Sequence, residues 1–291
     1  MLDFRIHTFL CVCRYMNYTK AATALQITQP AVSQHIRYLE KEYGMKLFDY
    51  TGKRLALTEA GHILLNAATT ISHDDTMLKQ NLVDLKMNYK SLRFGVTHTI
   101  GESEIMEKLA GYLRQHPEMN LYMEIGDAAD LLTAINEGKI DFAVIEGFFD
   151  QSEYETLLFG TEVLTAVCHP DYEAPSEMTV GELLNKRIIL REPGSGTRTL
   201  VEQVLAEQGV SVANFQQRYE VGSPQAIKEL AERGCGIGFL FEQSVSKEIS
   251  NGVLRRIHIQ GCDGTHTSTF IWRKGSMYST MFRYIYDQLK S

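Results

Sequence analysis

A chain of 291 residues, 44% hydrophobic and 22% charged, is too long for one small domain and has material for the cores of two or three. It holds no run of about 18 apolar residues, and its first stretch, MLDFRIHTFLCVC, interrupts an apolar pattern with Asp3, Arg5 and His7, which excludes a membrane span or signal peptide there and points to the cytoplasm. The net charge of -7 divides unevenly: residues 1–60 carry 8 Lys/Arg against 5 Asp/Glu, net +3, and residues 61–291 carry 21 against 31, net -10, so a basic head able to meet phosphate precedes an acidic body.

Leu2 to Met16 places Phe4, Ile6, Phe9, Leu10 and Val12 at helical spacing and predicts a first helix. Thr19 is positioned to cap a short second helix that runs to Leu25 and is broken by Gln26-Ile27. Thr28 caps a third, with Pro30 in the first turn, where its missing N–H costs nothing, and with Ala31, Val32, Ile36 and Leu39 facing inward. The opposite face is Gln29, Ser33, Gln34 and Arg37. It is polar, short and rich in donors, as a helix laid into a DNA major groove must be. Gly44 ends this helix, and Lys46 to Leu57 reads as two short strands around Thr51-Gly52-Lys53-Arg54. That is a wing, whose tip offers Lys53 and Arg54 to phosphates or a narrow minor groove. Thr19, Lys20 and Thr28 join them as phosphate neighbours, while Pro30 leads the helix whose polar face meets bases. The competing view makes Gln29 and Ser33 solvated surface; the joint presence of capped helix, short turn, Pro-led helix and basic wing favours DNA.

The ordered run AATALQITQPAVSQHIRYLEKEYGMKLFDYTGKRLALTEAG is similar throughout to the winged helix-turn-helix head of LysR-type transcriptional regulators, densely over roughly the first 60 residues. The resemblance implies a regulator that binds double-stranded DNA and a small-molecule effector, works as a dimer or tetramer of itself, and needs no cofactor, metal or membrane. One departure is Gln34-His35, where many members have an Arg beside a polar residue, so this pair bears on base preference.

From Thr58 a helix of about 30 residues without Pro carries an apolar stripe of Ile63, Leu64, Ala67, Ile71, Met77, Leu78, Leu82 and Leu85. Such a stripe needs a partner, and in LysR-type regulators the equivalent helix dimerises. His73-Asp74-Asp75 interrupts the stripe and is expected to soften its middle. Beyond Tyr89 strands and helices alternate. Strands are expected at Leu92 to Val96, Leu121 to Ile125 and Asp141 to Ile145, with helices at Glu104 to Gln115 and Ala128 to Glu137. A second set follows with strands at Val163 to Cys168, Arg187 to Leu190, Phe215 to Val221 and Gly236 to Phe241, and helices at Arg198 to Gln208 and Ala226 to Arg233. Thr267 to Trp272 and a helix from Met277 to Leu289 close the chain. The chain crosses near 160 and returns near 266, which resembles the effector domain of LysR-type regulators and periplasmic binding proteins.

In open α/β lobes ligands lie beyond the carboxyl ends of strands, where helix N-termini point. Three loops qualify: Thr97-His98-Thr99-Ile100-Gly101, Gly194-Ser195-Gly196-Thr197-Arg198 and Gly222-Ser223-Pro224. Their hydroxyls and backbone N–H groups suit an oxyanion or carboxylate, with a small dianion such as sulfite, sulfate or thiosulfate the first choice. The candidate effector residues are Thr97, His98, Thr99, Ile100, Ser195, Gly196, Thr197, Arg198 and Ser223. The REPGSGTR run at 191–198 resembles the LysR-type subgroup that senses small anions. Taken singly, Thr99, Ser195 and Ser223 also read as ordinary helix caps.

Five scattered cysteines, 11, 13, 168, 235 and 262, without a CxxC argue against a disulfide framework or zinc ribbon, and most are expected to be reduced, buried thiols. His258, Cys262 and His266 stand as H-x3-C-x3-H, but the span runs from a strand into a loop, so no metal is expected. Ser195 lies in G-S-G without a nucleophile elbow, and no enzyme is expected. The fold class is therefore α/β with an N-terminal, α-rich winged helix-turn-helix (1–58), a long dimerisation linker helix (59–89) and a two-lobed, periplasmic-binding-protein-like effector domain (90–291), lobe I being 90–160 and 267–291 and lobe II 161–266. The competing classes are a cytoplasmic solute-binding protein and a redox-responsive regulator that senses through Cys168 or Cys235.

Overall fold

The computed structural model describes residues 3–290 except 53, 102–104 and 148. The head is built from α1 (Phe4–Tyr15), α2 (Tyr18–Leu25) and α3 (Gln29–Tyr43). The Asp3 carboxylate accepts from the Arg5 amide at 2.7 Å and starts α1. Asn17, not Thr19, caps α2: its Oδ1 accepts the Lys20 amide at 2.9 Å, and Thr19 lies inside the first turn with its carbonyl accepting the Thr23 hydroxyl at 3.1 Å. Both residue types can cap, and the one that keeps extended backbone does so. Gln26, in the left-handed region at φ 56°, turns the chain toward α3, where Thr28 Oγ1 accepts the Ala31 amide at 3.4 Å. Gly44 at φ 67° ends α3. The head core holds Phe9, Val12, Ala21, Val32, Ile36, Leu39 and Leu47, with the Phe9 and Phe48 rings 5.5 Å apart. Each of these side chains larger than Ala21 contributes about 1.5–3 kcal/mol by leaving water. The wing pairs β1 (Phe48–Thr51) antiparallel with β2 (Arg54–Leu57). Lys53 lies outside the described residues.

The linker helix α4 (Glu59–Met87) is 29 residues long. Thr58 caps it by accepting the Gly61 amide at 3.0 Å, and donates its own hydroxyl to the Lys46 carbonyl at 2.6 Å. Gly61 lets α4 touch the wing: a Cβ there would stand 2.2 Å from the Leu47 carbonyl oxygen. The apolar stripe divides three ways. Leu64 packs on the head core and Met77 on the core of lobe I, while Ile63, Ala67, Ile71, Leu78, Leu82 and Leu85 remain exposed, Leu85 at 77%. His73-Asp74-Asp75 does not soften the helix. His73 and Asp74 are buried against lobe I, where Asp74 accepts from the Ser276 hydroxyl at 2.6 Å and the Met277 amide at 2.8 Å, and Asp75 pairs with Lys79 at 2.6 Å.

Lobe I carries the parallel strands β3 (Lys90–Thr97), β4 (Met119–Gly126) and β5 (Phe142–Glu146), crossed by the short α5 (His98–Gly101), α6 (Ile105–Gln115) and α7 (Ala128–Asn136). The Phe142 ring stacks at 5.1 Å on Phe94 and 4.6 Å on Phe270 in its core. The next strand exceeds expectation: β6 (Tyr154–Cys168) runs 15 residues through both lobes, whereas the sequence marked it only from Val163. Lobe II follows with β7 (Glu177–Met178), α8 (Val180–Leu183), β8 (Ile188–Arg191), α9 (Gly196–Glu207), β9 (Arg218–Val221), α10 (Pro224–Glu232), β10 (Ile237–Phe241), α11 (Glu242–Ser250) and β11 (Arg255–Ile259). The strand expected from Phe215 begins only at Arg218, because Phe215 turns into the lobe II core. The elements β7, α8 and α11 had no counterpart in the sequence reading. The return strand β12 (Thr265–Arg273) pairs antiparallel with β6 along its whole length, with an irregularity between Ser268 and Thr269, and α12 (Ser279–Lys290) closes lobe I. The sheet order is β4-β3-β5-β12-β6-β10-β8-β9. Both lobe crossings, β6 and β12, therefore lie side by side.

Candidate DNA-reading face and effector cleft

On α3 the side chains of Gln29, Gln34 and Arg37 are exposed and Ser33 is half-buried. They are tied together locally: Gln29 Nε2 donates to Ser33 Oγ at 3.0 Å, and Arg37 Nε donates to the Ser33 carbonyl at 3.3 Å. Thr19, Lys20, Thr28 and Pro30 are exposed around this face, and Arg54 is exposed on the wing. His35 is not part of the face. Its Nδ1 stands 2.9 Å from the Thr8 hydroxyl and its ring packs edge-on at 4.9 Å against Phe4, so of the pair Gln34-His35 only Gln34 is presented outward. Arg5 lies over the Tyr38 ring at 3.9 Å and fastens the same helix to α1.

Between the lobes lies a cavity of about 120 Å³, at the carboxyl ends of β3, β5 and β8 and the first turns of α7 and α9. Of the candidate effector residues it brings together Thr97, His98, Ser195 and Gly196. Ser195 is buried and caps α9, its Oγ accepting the Arg198 amide at 3.1 Å. Ile100 is not on the cavity but in the lobe I core. Thr197 is buried outside the lining, and the side chain of Thr99 is outside the described residues. Arg198 turns away: it donates to Glu202 at 2.7 Å, the Arg191 carbonyl at 2.9 Å and Glu220 at 3.4 Å. Ser223 caps α10, accepting the Ala226 amide at 3.2 Å, and does not reach the cavity.

The remaining wall is Arg191 and Gly194, which lie in the run and loop singled out above but were not among the candidate residues, with Asp127, Ala128, Glu146, Gly147 and Thr199, which the sequence did not mark. Glu146 and Arg191 are the last residues of β5 and β8, so the strand-end rule that selected the loops pointed to them as well. The Thr97 hydroxyl donates to Glu146 at 3.5 Å. Arg191 grips Glu192 through two bonds of 2.8 Å, and these hold the Glu192 carboxyl below the usual range. Asp127 begins α7 without a side-chain cap bond. Gly194, at φ 100°, takes the chain into α9 with a backbone other residues rarely adopt.

Burial pushes the thiols of Cys13 and Cys262 up to about 12 and about 11, and raises Cys168. Thiols so held carry little thiolate and react slowly with oxidants. Among the described residues no three His, Cys, Asp or Glu side chains are grouped to hold a metal. No described helix is long and apolar enough to cross a membrane.

Family models match both halves of the chain: the LysR substrate binding domain over residues 89–291 and the bacterial regulatory helix-turn-helix protein of the lysR family over residues 5–62. The HTH-type transcriptional regulator CbbR of Xanthobacter flavus is 31% identical over 249 residues, covering 84% of this chain and 74% of that protein. The HTH-type transcriptional regulator CysL of Bacillus subtilis is 29% identical over 258 residues, covering 87% and 85%. Among solved structures, full-length LysG from Corynebacterium glutamicum with bound effector Arg aligns at TM-score 0.62 and 18% identity, over 99% of this chain and 98% of that one. Full-length OxyR from Pseudomonas aeruginosa aligns at TM-score 0.59 and 18% identity, over 99% and 94%. These two show a shared fold.

Proposed function

Because the chain belongs to the LysR family of transcriptional regulators, with a DNA-binding head and an effector-binding domain, we propose that Gln29, Ser33, Gln34 and Arg37 read bases and that the effector is a small molecule with an anionic group, held in the cavity between Thr97-His98 and Ser195-Gly196. The single observation that carries the effector reading is that these two loops, one from each lobe, line one cavity. The N-terminal turn of α9 supplies backbone N–H groups and the positive end of a helix dipole to an anion there. A ligand that touches both lobes favours one arrangement of the lobes over another, and this differential affinity is what shifts the DNA heads. Lys20, Thr28 and the wing basic residues supply phosphate contacts, with Thr19 an exposed neighbour rather than a cap. We place the protein in the cytoplasm, where its DNA is, and read it as a binding protein rather than an enzyme, because the relatives it matches are transcriptional regulators.

The solute-binding alternative leaves the DNA-binding head without a role. The redox alternative rests on Cys168 or Cys235, and burial of Cys168 disfavours its thiolate. A melting-temperature screen of small carboxylates and oxyanions tests the effector site, run on the wild type and on Ala128→Trp, which fills the cavity. A compound that stabilises the first and not the second supports the reading. Equal stabilisation of both puts the effector elsewhere and overturns it.

A further inference from the structure

The two walls of the interlobe cavity differ in electrical character. Lobe II contributes the first turn of α9, at the positive end of its dipole, and the buried Arg191. Lobe I contributes two carboxylates: Glu146, 3% exposed at the end of β5, and Asp127, whose side chain is not spent on capping α7. The walls are close, since a Cβ built on Gly196 would stand 3.7 Å from the Glu146 Cβ. Arg191 already carries Glu192 on two bonds of 2.8 Å, so much of its charge is answered. His98 is the other basic residue of the lining. A fully ionised dianion would satisfy α9 but bring no donor to the carboxyl oxygens of Asp127 and Glu146. A polar group brought into such a partly dry space without a matching partner is costly.

We propose that the effector is a small bipolar molecule: an anionic group seated on the first turn of α9 beside Arg191, and a hydrogen-bond donor of its own, an ammonium or hydroxyl, directed at Glu146 and Asp127. The proposal rests on the effector occupying this cavity, and it replaces the dianion that the loop sequences first indicated. The size agrees, because a cavity of about 120 Å³ has the room of roughly four water molecules, enough for a compound the size of a small amino or hydroxy acid. A ligand of this kind also has a reason to close the lobes. Each end finds its complement on a different lobe, so neither lobe alone binds it as well as the pair does.

The test uses the full chain and four probes: alanine, lactate, dihydrogen phosphate at mildly acidic pH, and sulfate under the same conditions. Phosphate and sulfate have the same shape, but dihydrogen phosphate carries O–H donors and one negative charge where sulfate carries no donor and two; alanine and lactate supply the comparison of donors at other charges. At least one donor-bearing probe is expected to raise the melting temperature by roughly 5 °C at a hundredfold excess over its Kd, with sulfate at least tenfold weaker. Alanine acting without lactate identifies an ammonium, and the reverse a hydroxyl. In Glu146→Gln the preference for donor-bearing probes over sulfate is expected to fall at least tenfold. Sulfate stabilising the wild type as well as the donor-bearing probes do, or no stabilisation by any of those three, overturns the proposal. If sulfate's effect disappears in Ala128→Trp, the site stands and only the ligand class fails. If a donor-bearing probe stabilises Ala128→Trp as well as the wild type, the site reading itself has failed.

Discussion

Asp74 shows how one residue of the linker helix holds the effector domain. Burial alone would raise its pKa, but hydrogen bonds from His73, Ser276 and Met277 outweigh burial and hold the carboxyl below its ordinary range. A folded pKa lowered in this way gives stability that is complete above the ordinary carboxylate pKa and is lost as pH falls through the folded value. Asp141 has the opposite sign. Burial outweighs the pull of Arg93, 2.6 Å away, and raises its pKa, so its contribution is present below the ordinary value and is lost as pH rises through the raised one. We therefore expect Asp74→Asn to cost roughly 2 kcal/mol at neutral pH, since an amide turned toward the Met277 N–H cannot replace a carboxylate that accepts from both Ser276 and Met277. Thermal melts across the acid range check this: the variant should lose less stability on acidification than the wild type. An unchanged acid limb would show that Asp74 is not the group that titrates. Gly61→Ala is a second residue-level test, because its methyl group would meet the Leu47 carbonyl oxygen at 2.2 Å. It should destabilise the head by about 1–3 kcal/mol, read from the melting of the head signal, and an unchanged melt would mean that α4 can shift on the wing freely.

Two elements are proposed to carry the interaction with DNA and with a second copy of the chain. Arg37→Ala is expected to reduce discrimination between operator and unrelated DNA, by about 1–3 kcal/mol, while Arg54→Ala weakens both about equally and lowers the salt slope by about 1. Gel-shift titrations on the two DNAs at several salt concentrations separate these outcomes, and equal behaviour of the two variants would remove the division between base and phosphate contacts. On α4, Leu78, Leu82 and Leu85 are exposed next to one another, and Leu82→Glu should shift the chain toward monomer in ultracentrifugation while leaving the single-chain fold intact. The head was legible because its signals are local: Thr28 with Pro30, Gly44, and inward residues at helical spacing need no distant partner. The error at Thr19 was also local, since Asn17 two residues earlier competes for the same role. The interior of α4 was less legible. Met77 and Asp74 face lobe I, and a stripe read as one surface could not show that. The long β6 escaped because Leu157 to Glu162 lies on the crossing between lobes, where half-buried residues and Gly160 replace a clear alternation. In the cleft the loops display donors, and neither Glu146 nor Asp127 lies in one of them, while Arg198 resembles a free donor because nothing in the motif reveals Glu220, 22 residues on and 3.4 Å away.

The same strand that joins the lobes also grips α4. β12 enters at Thr265 beside lobe II, passes the irregular pairing at Ser268 and Thr269, and ends at Arg273, which is fully buried. Opposite the irregularity is Gly160, where an added Cβ would meet the Ser268 hydroxyl at 3.0 Å, so the two crossings are tightly laid against each other. The Arg273 guanidinium donates to Thr70 Oγ1 at 3.2 Å and the Asn66 carbonyl at 3.0 Å on α4, and to Asn136 at 3.1 Å and Glu153 at 2.7 Å within lobe I. A turn of lobe II about the crossing therefore reaches α4 at Arg273, a side chain with a fixed fork of donors, beside the bonds that Ser276 and Met277 make to Asp74. Lysine keeps the charge but not the fork. Arg273→Lys should retain the pairing with Glu153 and lose the simultaneous hold on Asn66 and Thr70. Effector would then still raise the melting temperature of the variant, because the cavity is untouched, but the effector-dependent change in the DNA footprint should shrink. Moving a two-state equilibrium from 1:99 to 99:1 needs a differential affinity of about 10⁴, so loosening the joint by even 1.4 kcal/mol removes about tenfold of the bias that reaches the heads. Footprints with and without effector, beside melts of the same samples, measure the two quantities separately. A footprint change as large in Arg273→Lys as in the wild type would mean that the signal leaves the effector domain by another route than β12.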